Sequence, residues 1–371
     1  MVRDFSDVTR VVVKIGTNVL TLNDRLDESY IFSIAEEINA VRRERRDVLI
    51  VTSGAIGMGA RELGLSGRVT GVRRRQACAA IGQPILMNTY KAAFARHGVS
   101  VAQVLLTREV LNNRKSFLNL KNSVEELIAL GVVPIFNEND SVSTAEIGTA
   151  FGDNDQLSAL IASKVDAGLL VMLSDVDALY ESNPRTNADA RRIESVETVT
   201  DEIIAAAGGA GTLHATGGMQ TKINAVKIAE KAGCRVVIAA GREANILTRI
   251  LRGESVGTVF LARLRLKSRI RWILNTVPSG KIAIDDGAIA ALRRRSSLLP
   301  TGIRTVTGNF AAGDVVMLVD SMNSETAKIV TSFGSDELRR LIGRHSSEIA
   351  AILGPGRRDT IAPPEDIVFL E

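Results

Sequence analysis

The segment Val11-Val12-Val13-Lys14-Ile15-Gly16-Thr17-Asn18 is a β-branched run that stops at a lysine, a glycine and two small polar residues. Such a run reads as a buried strand opening into a loop. Four more stretches repeat the form. Residues 48–51 lead into Thr52-Ser53-Gly54-Ala55, and residues 132–136 into Asn137-Glu138-Asn139-Asp140. Residues 169–173 lead into Ser174-Asp175-Val176-Asp177, and residues 236–238 into Ala239-Ala240-Gly241-Arg242. Between them lie helical patterns at 30–43, 76–97, 116–130, 157–163 and 221–232. Continuous apolar strands separated by helices predict a mainly parallel, buried sheet. In an open α/β sheet, ligands sit outside the carboxyl ends of the strands. Five polar strand ends therefore imply one crevice.

Composition narrows the function classes. A chain of 371 residues is the length of two or three domains. Hydrophobic residues at 45% and charged residues at 24% are ordinary for a protein with a sizeable core, and 4% aromatics make that core aliphatic. A net charge of +4 suits an anionic ligand without demanding nucleic acid. Cys78 and Cys234 are too far apart for a zinc or disulfide framework and read as buried hydrophobes in a reducing compartment. His97, His214 and His345 lack ligand spacing, which argues against a histidine metal centre or a serine triad. The N-terminus is too charged for a secretory leader, and no apolar run approaches membrane-spanning length. The expected location is the cytoplasm, without membrane association.

Several segments can carry chemistry, and each also has a plain structural reading. Phe151-Gly152-Asp153-Asn154-Asp155 sets two carboxylates around a carboxamide ahead of a helix. The carboxylates repel unless a cation stands by, whether a lysine, a magnesium ion or both; Asp153 can equally cap the helix. Lys14, before a glycine loop, can aim a compact cation at a phosphate or simply end a strand in solvent. Ser53-Gly54 opens a helix whose free N–H groups suit an anion, or it is only a tight turn. The acids of 137–140 can hold an ammonium group or be a solvated loop. Thr216-Gly217-Gly218-Met219-Gln220-Thr221-Lys222 is a glycine-rich entry to a helix. Lys222 in its first turn opposes the helix dipole, which suggests a phosphate to neutralise. Walker A spacing is absent.

Residues 13–17, 52–55, 137–140, 152–155 and 216–222 occur in the order found in the amino acid kinases, and the chain resembles that family over nearly its whole length. It is most similar to the branch that acts on glutamate. One departure is the segment 147–151, slightly longer than the family's connection into Gly152. The resemblance implies an αβα sandwich over residues 1–263, a linker at 264–277, and a small β-barrel-like PUA domain over 278–371. It implies transfer of a phosphoryl group from ATP, with Mg2+, to the γ-carboxylate of L-glutamate, as the first step of proline biosynthesis. Lys14, Lys222 and Asp155 are then catalytic. Ser53, Asp140 and Asn154 bind glutamate, with Asp140 at the ammonium. Lys14, Ser174, Asp175 and the run Thr216, Gly217, Gly218, Met219, Gln220, Thr221, Lys222 hold ATP, and Asp153 and Asp155 are candidate magnesium ligands. Proline as feedback inhibitor and a homo-oligomer, dimer or tetramer, are implied as well.

The tail carries short strand patterns at 281–284, 303–306, 314–319 and 327–331, a helix at 288–295 and a final helical pattern at 337–352. The region 302–315 resembles a PUA domain, a module that elsewhere binds RNA. Arg293-Arg294-Arg295 would suit phosphates, but charge runs commonly end solvated helices, and few aromatics are available for stacking. RNA is therefore not the expected partner. Arg42-Arg43-Glu44-Arg45-Arg46 closes a helix, where cations suit the dipole; Arg73-Arg74-Arg75 opens one, where they do not, and would meet another subunit or a ligand. The competing readings are another amino acid kinase, acting on aspartate, N-acetylglutamate or a nucleoside monophosphate, and an RNA-binding protein acting through its tail.

Overall fold

Side chains alternate along a strand, so Val11, Val13 and Ile15 enter one apolar layer and Val12 the other. The same division runs through every central strand, and two cores on opposite faces follow from it. The computed structural model describes residues 3–23, 25–142, 154–182, 184, 187, 189–208, 218–262 and 265–370. These residues form two compact units, Met1–Leu266 and Lys267–Glu371.

In the first unit the main strands are β1 (Arg10–Ile15), β2 (Asp47–Val51), β3 (Val101–Leu106), β4 (Val133–Glu138), β5 (Leu169–Ser174), β6 (Ser195–Val196), β7 (Arg235–Ala240) and β8 (Thr258–Phe260). Their order is β6-β8-β7-β5-β1-β2-β4-β3. All neighbours are parallel except β7 with β8. The helices α1 (Glu28–Arg43) and α3 (Val72–Ala95) cover one face, contributing Ile31, Ile34, Ile38, Leu86, Tyr90 and Phe94. The other face is covered by α4 (Arg114–Ala129), α5 (Asn154–Lys164) and α6 (Met219–Glu230), through Val124, Leu157, Ile161, Ile223 and Val226. The first unit is thus an αβα sandwich. Between β2 and α3 lies α2 (Ala55–Glu62), which packs on α3. A Cβ on Gly82 would stand 1.8 Å from the Ala55 carbonyl oxygen, so only glycine lets the two backbones meet.

Three readings of the sequence differ from the structure. Strand β3 has no counterpart among the expected strands; it lies at the sheet edge, mostly half-buried, and Gln103 interrupts its apolar run. The stretch 264–277, expected as a linker, contains α7 (Ser268–Asn275) with Arg271, Trp272 and Ile273 buried. Its arginines mask an amphipathic helix that belongs to the second unit. The final helical pattern breaks in two, α9 (Ser335–Leu341) and α10 (Ile349–Leu353), where Gly343 adopts φ +70°.

The second unit holds β9 (Gly280–Ile284), β10 (Ile303–Gly308), β11 (Val315–Val319), β12 (Glu325–Val330) and β13 (Ile367–Phe369), in the order β10-β9-β11-β12-β13. Only β9 with β11 is parallel. Between β9 and β10 stands α8 (Asp286–Arg293), capped by Asp285, which accepts the Ala288 N–H. Its core gathers Ile282, Val316, Leu318, Ile329, Phe333 and Leu338. No described helix is long and apolar enough to cross a membrane.

Candidate active site

The carboxyl ends of β1, β2, β4, β5 and β7 share one edge of the sheet, and the polar residues collect there. Lys14 leaves β1 with its side chain almost wholly buried. Opposite it, Asp155 sits in the first turn of α5, where a carboxylate suits the dipole. Lys222 comes from the first turn of α6 and is 3% exposed. The three meet. Lys14 Nζ is 2.6 Å from Asp155 Oδ1, and Lys222 Nζ is 3.1 Å from Oδ2. Thr221 Oγ1 lies 2.9 Å from Oδ2 and 2.7 Å from the Gly218 carbonyl oxygen, its single proton serving one of them. Burial alone would push the Asp155 carboxyl up, but the two ammonium groups outweigh it and hold the group below the ordinary carboxylate range. Two buried cations around one anion leave a surplus of one positive charge. The dipole's small penalty at Lys222 is thereby offset by a direct ion pair.

Next to this cluster stands Asn154, whose Nδ2 lies 2.8 Å from the Thr52 carbonyl oxygen, 2.9 Å from Ser53 Oγ and 2.9 Å from Asn137 Oδ1. Thr52 continues the sheet through its N–H, which donates to the Phe136 carbonyl. Gly54 then turns at φ +97° to open α2, a conformation a side chain would strain. Asn137 Nδ2 donates to Gln83 Oε1 at 2.8 Å, and Gln83 Nε2 to Gln103 Oε1 at 3.0 Å. A line of amides therefore runs from the edge strand to Asn154 and fixes which way its carboxamide faces. Sequence reasoning missed Gln83 and Gln103, because single glutamines inside a helix and a strand carry no motif.

Asp140 follows the end of β4 and lines a cleft of about 270 Å3 with Ala55, Gln83, Gln103, Glu138 and Asn139. Burial, and then the neighbouring Glu138 carboxylate, push its carboxyl up to about 6, against a smaller opposite pull from Arg75. A cation placed in the cleft would counteract both by its charge. Arg73, Arg74 and Arg75 themselves are exposed at the start of α3.

On the other side of Lys14, Ser174 closes β5 and its hydroxyl donates to Asp175 Oδ1 at 3.0 Å. Asn18 Nδ2 donates to Asp175 Oδ2 at 2.9 Å. Burial would raise the Asp175 carboxyl, but the hydrogen bonds from Asn18 and Ser174 and the charge of Lys222 hold it low. Gly218, Met219, Gln220 and Thr221 form the entry to α6, with no side-chain cap on its first N–H groups. Asp153, Thr216 and Gly217 lie outside the described residues.

Magnesium does not fit Asp155. Both its oxygens already face ammonium groups at hydrogen-bond distance in a fully buried position, and a divalent cation there would meet two like charges. Among the described residues no cluster of three histidine, cysteine or acidic side chains is placed to hold a metal.

Comparison with known proteins gives two family matches: the amino acid kinase family over residues 9–240 and the PUA domain over residues 280–353. The glutamate 5-kinase of Methanosarcina barkeri (strain Fusaro / DSM 804) is 44% identical over 375 residues, covering 99% of this chain and 98% of that protein. The glutamate 5-kinase of Geobacter sulfurreducens is 44% identical, covering 98% of each chain. That of Thermus thermophilus is 43% identical, covering 93% of each.

Proposed function

Because this chain belongs to the amino acid kinase family, we propose that it transfers the γ-phosphoryl group of ATP to the γ-carboxylate of L-glutamate, giving L-glutamyl 5-phosphate and ADP at the entry to proline biosynthesis. The observation that carries this reading is the buried Asp155 carboxylate with a lysine ammonium on each oxygen. A site with one surplus positive charge, closed off from water, suits a group whose negative charge spreads over several oxygens during transfer.

A γ-carboxylate oxygen attacks the γ-phosphorus, the bond to the bridging oxygen breaks, and the electron pair leaves on ADP. Lys14 and Lys222 stabilise the transferring group from two sides, and Asp155 holds both in place. No general base is needed, since a carboxylate nucleophile is already ionised at neutral pH. Asp140 receives the substrate ammonium, while Ser53 and Asn154 hydrogen-bond the amino acid. Ser174, Asp175 and residues 216–222 hold the nucleotide. Any magnesium would arrive with the phosphates of the nucleotide and would neutralise part of their charge, since both oxygens of Asp155 are taken by the two lysines. Feedback by proline and assembly into a homo-oligomer belong to the same reading.

Glutamate with Mg-ATP should release ADP, and hydroxylamine should trap the labile acyl phosphate as a hydroxamate. Aspartate and N-acetylglutamate should be poor substrates; equal turnover of N-acetylglutamate would sink the role given to Asp140. Replacing Lys222 by methionine keeps the stem and deletes the cation. It should lower kcat by about a hundredfold or more while the glutamate KM changes far less. An unchanged kcat with a weaker apparent ATP affinity would reduce Lys222 to ground-state phosphate binding.

A further inference from the structure

At the end of the sheet away from the crevice, α1 closes on Arg42-Arg43, the chain turns at Glu44-Arg45, and Arg46 leads into β2. Arg45 makes that turn at φ +62°, a left-handed conformation uncommon for a long side chain. Beside the turn lies a cleft of about 420 Å3, whose other wall is Gly131 and Val132, at the entry to β4. Four arginines line it, Arg42, Arg43, Arg45 and Arg46, together with Asn39.

Counter-charge is scarce in this cleft. Asp47 lines it too, but its Oδ2 accepts from both Nε and Nη2 of Arg10, at 3.2 and 3.1 Å. Glu44 is 58% exposed and comes no closer to Arg46 than 3.8 Å. Arg42 uses one nitrogen to bind the Gly131 carbonyl at 2.5 Å, tying the two walls together. Arg46 is the telling residue. Its side chain is 14% exposed, and among the described residues its enclosed Nη1 has no hydrogen-bond partner. The charge of Arg46 is thus left largely uncompensated at the cleft wall.

Cations at a helix C-terminus suit the dipole, and that accounts for Arg42 and Arg43 in the last turn of α1. It does not account for Arg45 and Arg46, which lie beyond the helix, nor for four like charges around one concavity. We propose that the cleft is a binding site for a small multivalent phosphate-type anion, held by the planar forks of these arginines. The whole length of β2, roughly 16 Å at strand rise, separates it from Ser53, so its ligand is not the one in the crevice. A volume of this order admits a diphosphate group with part of the molecule that bears it.

The test is calorimetric titration of the full chain with inorganic pyrophosphate, at about physiological ionic strength. The crevice is blocked beforehand by glutamate and a non-hydrolysable ATP analogue. Saturable binding is expected, weakened at least about tenfold in the double variant Arg43→Ala/Arg45→Ala, whose side chains are exposed; a thermal scan matching the parent checks that the variant is folded. Phosphotransfer without pyrophosphate should be unchanged in that variant. Arg46→Lys keeps the charge and loses the fork, so it should also weaken binding by several fold. Absence of saturable binding to the parent chain overturns the proposal, and so does an affinity equal to the parent's in both variants.

Discussion

Replacing Asp155 by asparagine tests the electrostatics of the site most directly. The change is nearly isosteric and removes the anion while leaving Lys14 and Lys222 buried at 5% and 3% exposure. At 2.6 and 3.1 Å, and an effective dielectric of about 20, each ion pair is worth roughly 5–6 kcal/mol of Coulomb attraction before desolvation. Desolvation of the charges offsets much of that, and removing one partner of a buried pair costs about 3–5 kcal/mol in practice. For a unit about the size of Met1–Leu266 each kcal/mol shifts the melting temperature by about 2 °C. The empty Asp155→Asn protein should therefore melt roughly 6–10 °C below the parent in a thermal unfolding scan. Adding Lys222→Met to it takes the local charge from two uncompensated cations to one and should recover part of the loss. In the parent background the same Lys222→Met change deletes a favourable pair and should not stabilise. A melting temperature for Asp155→Asn within about 2 °C of the parent would refute this reasoning. So would a further fall on adding Lys222→Met.

The remaining predictions concern the substrate side. Because the Asp140 carboxyl is pushed up to about 6, the charge proposed to receive the substrate ammonium is present above that pH and lost below it. Initial-rate kinetics should show a glutamate KM that is level above about pH 7 and rises up to tenfold per unit below pH 6; Asp140→Asn should have a high KM with no such step. The same raised pKa means the folded state holds this proton more tightly than the unfolded chain between about pH 4 and 6, so its contribution to stability fades as pH rises through 6. Asp140→Asn should then raise the melting temperature of the empty protein at pH 8 and have no such effect near pH 4. Gly82→Ala places a Cβ 1.8 Å from the Ala55 carbonyl oxygen and 2.5 Å from the Gly59 nitrogen. Urea denaturation should show a loss of at least about 1–3 kcal/mol, with a raised glutamate KM, because α2 and the Ser53-Gly54 turn must shift. Gly57→Ala, with nothing within 4 Å of its Cβ in the same helix α2, should be neutral or gain up to about 1 kcal/mol from helix propensity.

What the sequence by itself determined was the sheet and the edge at which its polar residues collect. Runs such as residues 11–13 and 169–173 are apolar on both faces, and only a strand covered on both sides buries every residue of such a run. Lys14, Ser53, Asn154, Asp155, Ser174 and Lys222 were legible because polar groups following buried strands or opening helices stand out against apolar surroundings. Which of them touch is another matter. Lys222 looked like a cation mildly opposed by its helix dipole; only the packing of α5 against α6 brings Asp155 to its ammonium and makes it part of a buried triad. Gln83 and Gln103 were invisible, since an amide inside a helix or strand looks like a surface residue until its partner arrives from a distant segment. The burial of Asp140, the helix hidden in the arginine-rich stretch near Trp272, and the unpaired nitrogen of Arg46 were likewise decided in three dimensions. Periodicity and propensity act over a few neighbouring residues, whereas burial, pairing and field strength depend on side chains that meet only after the layers have closed.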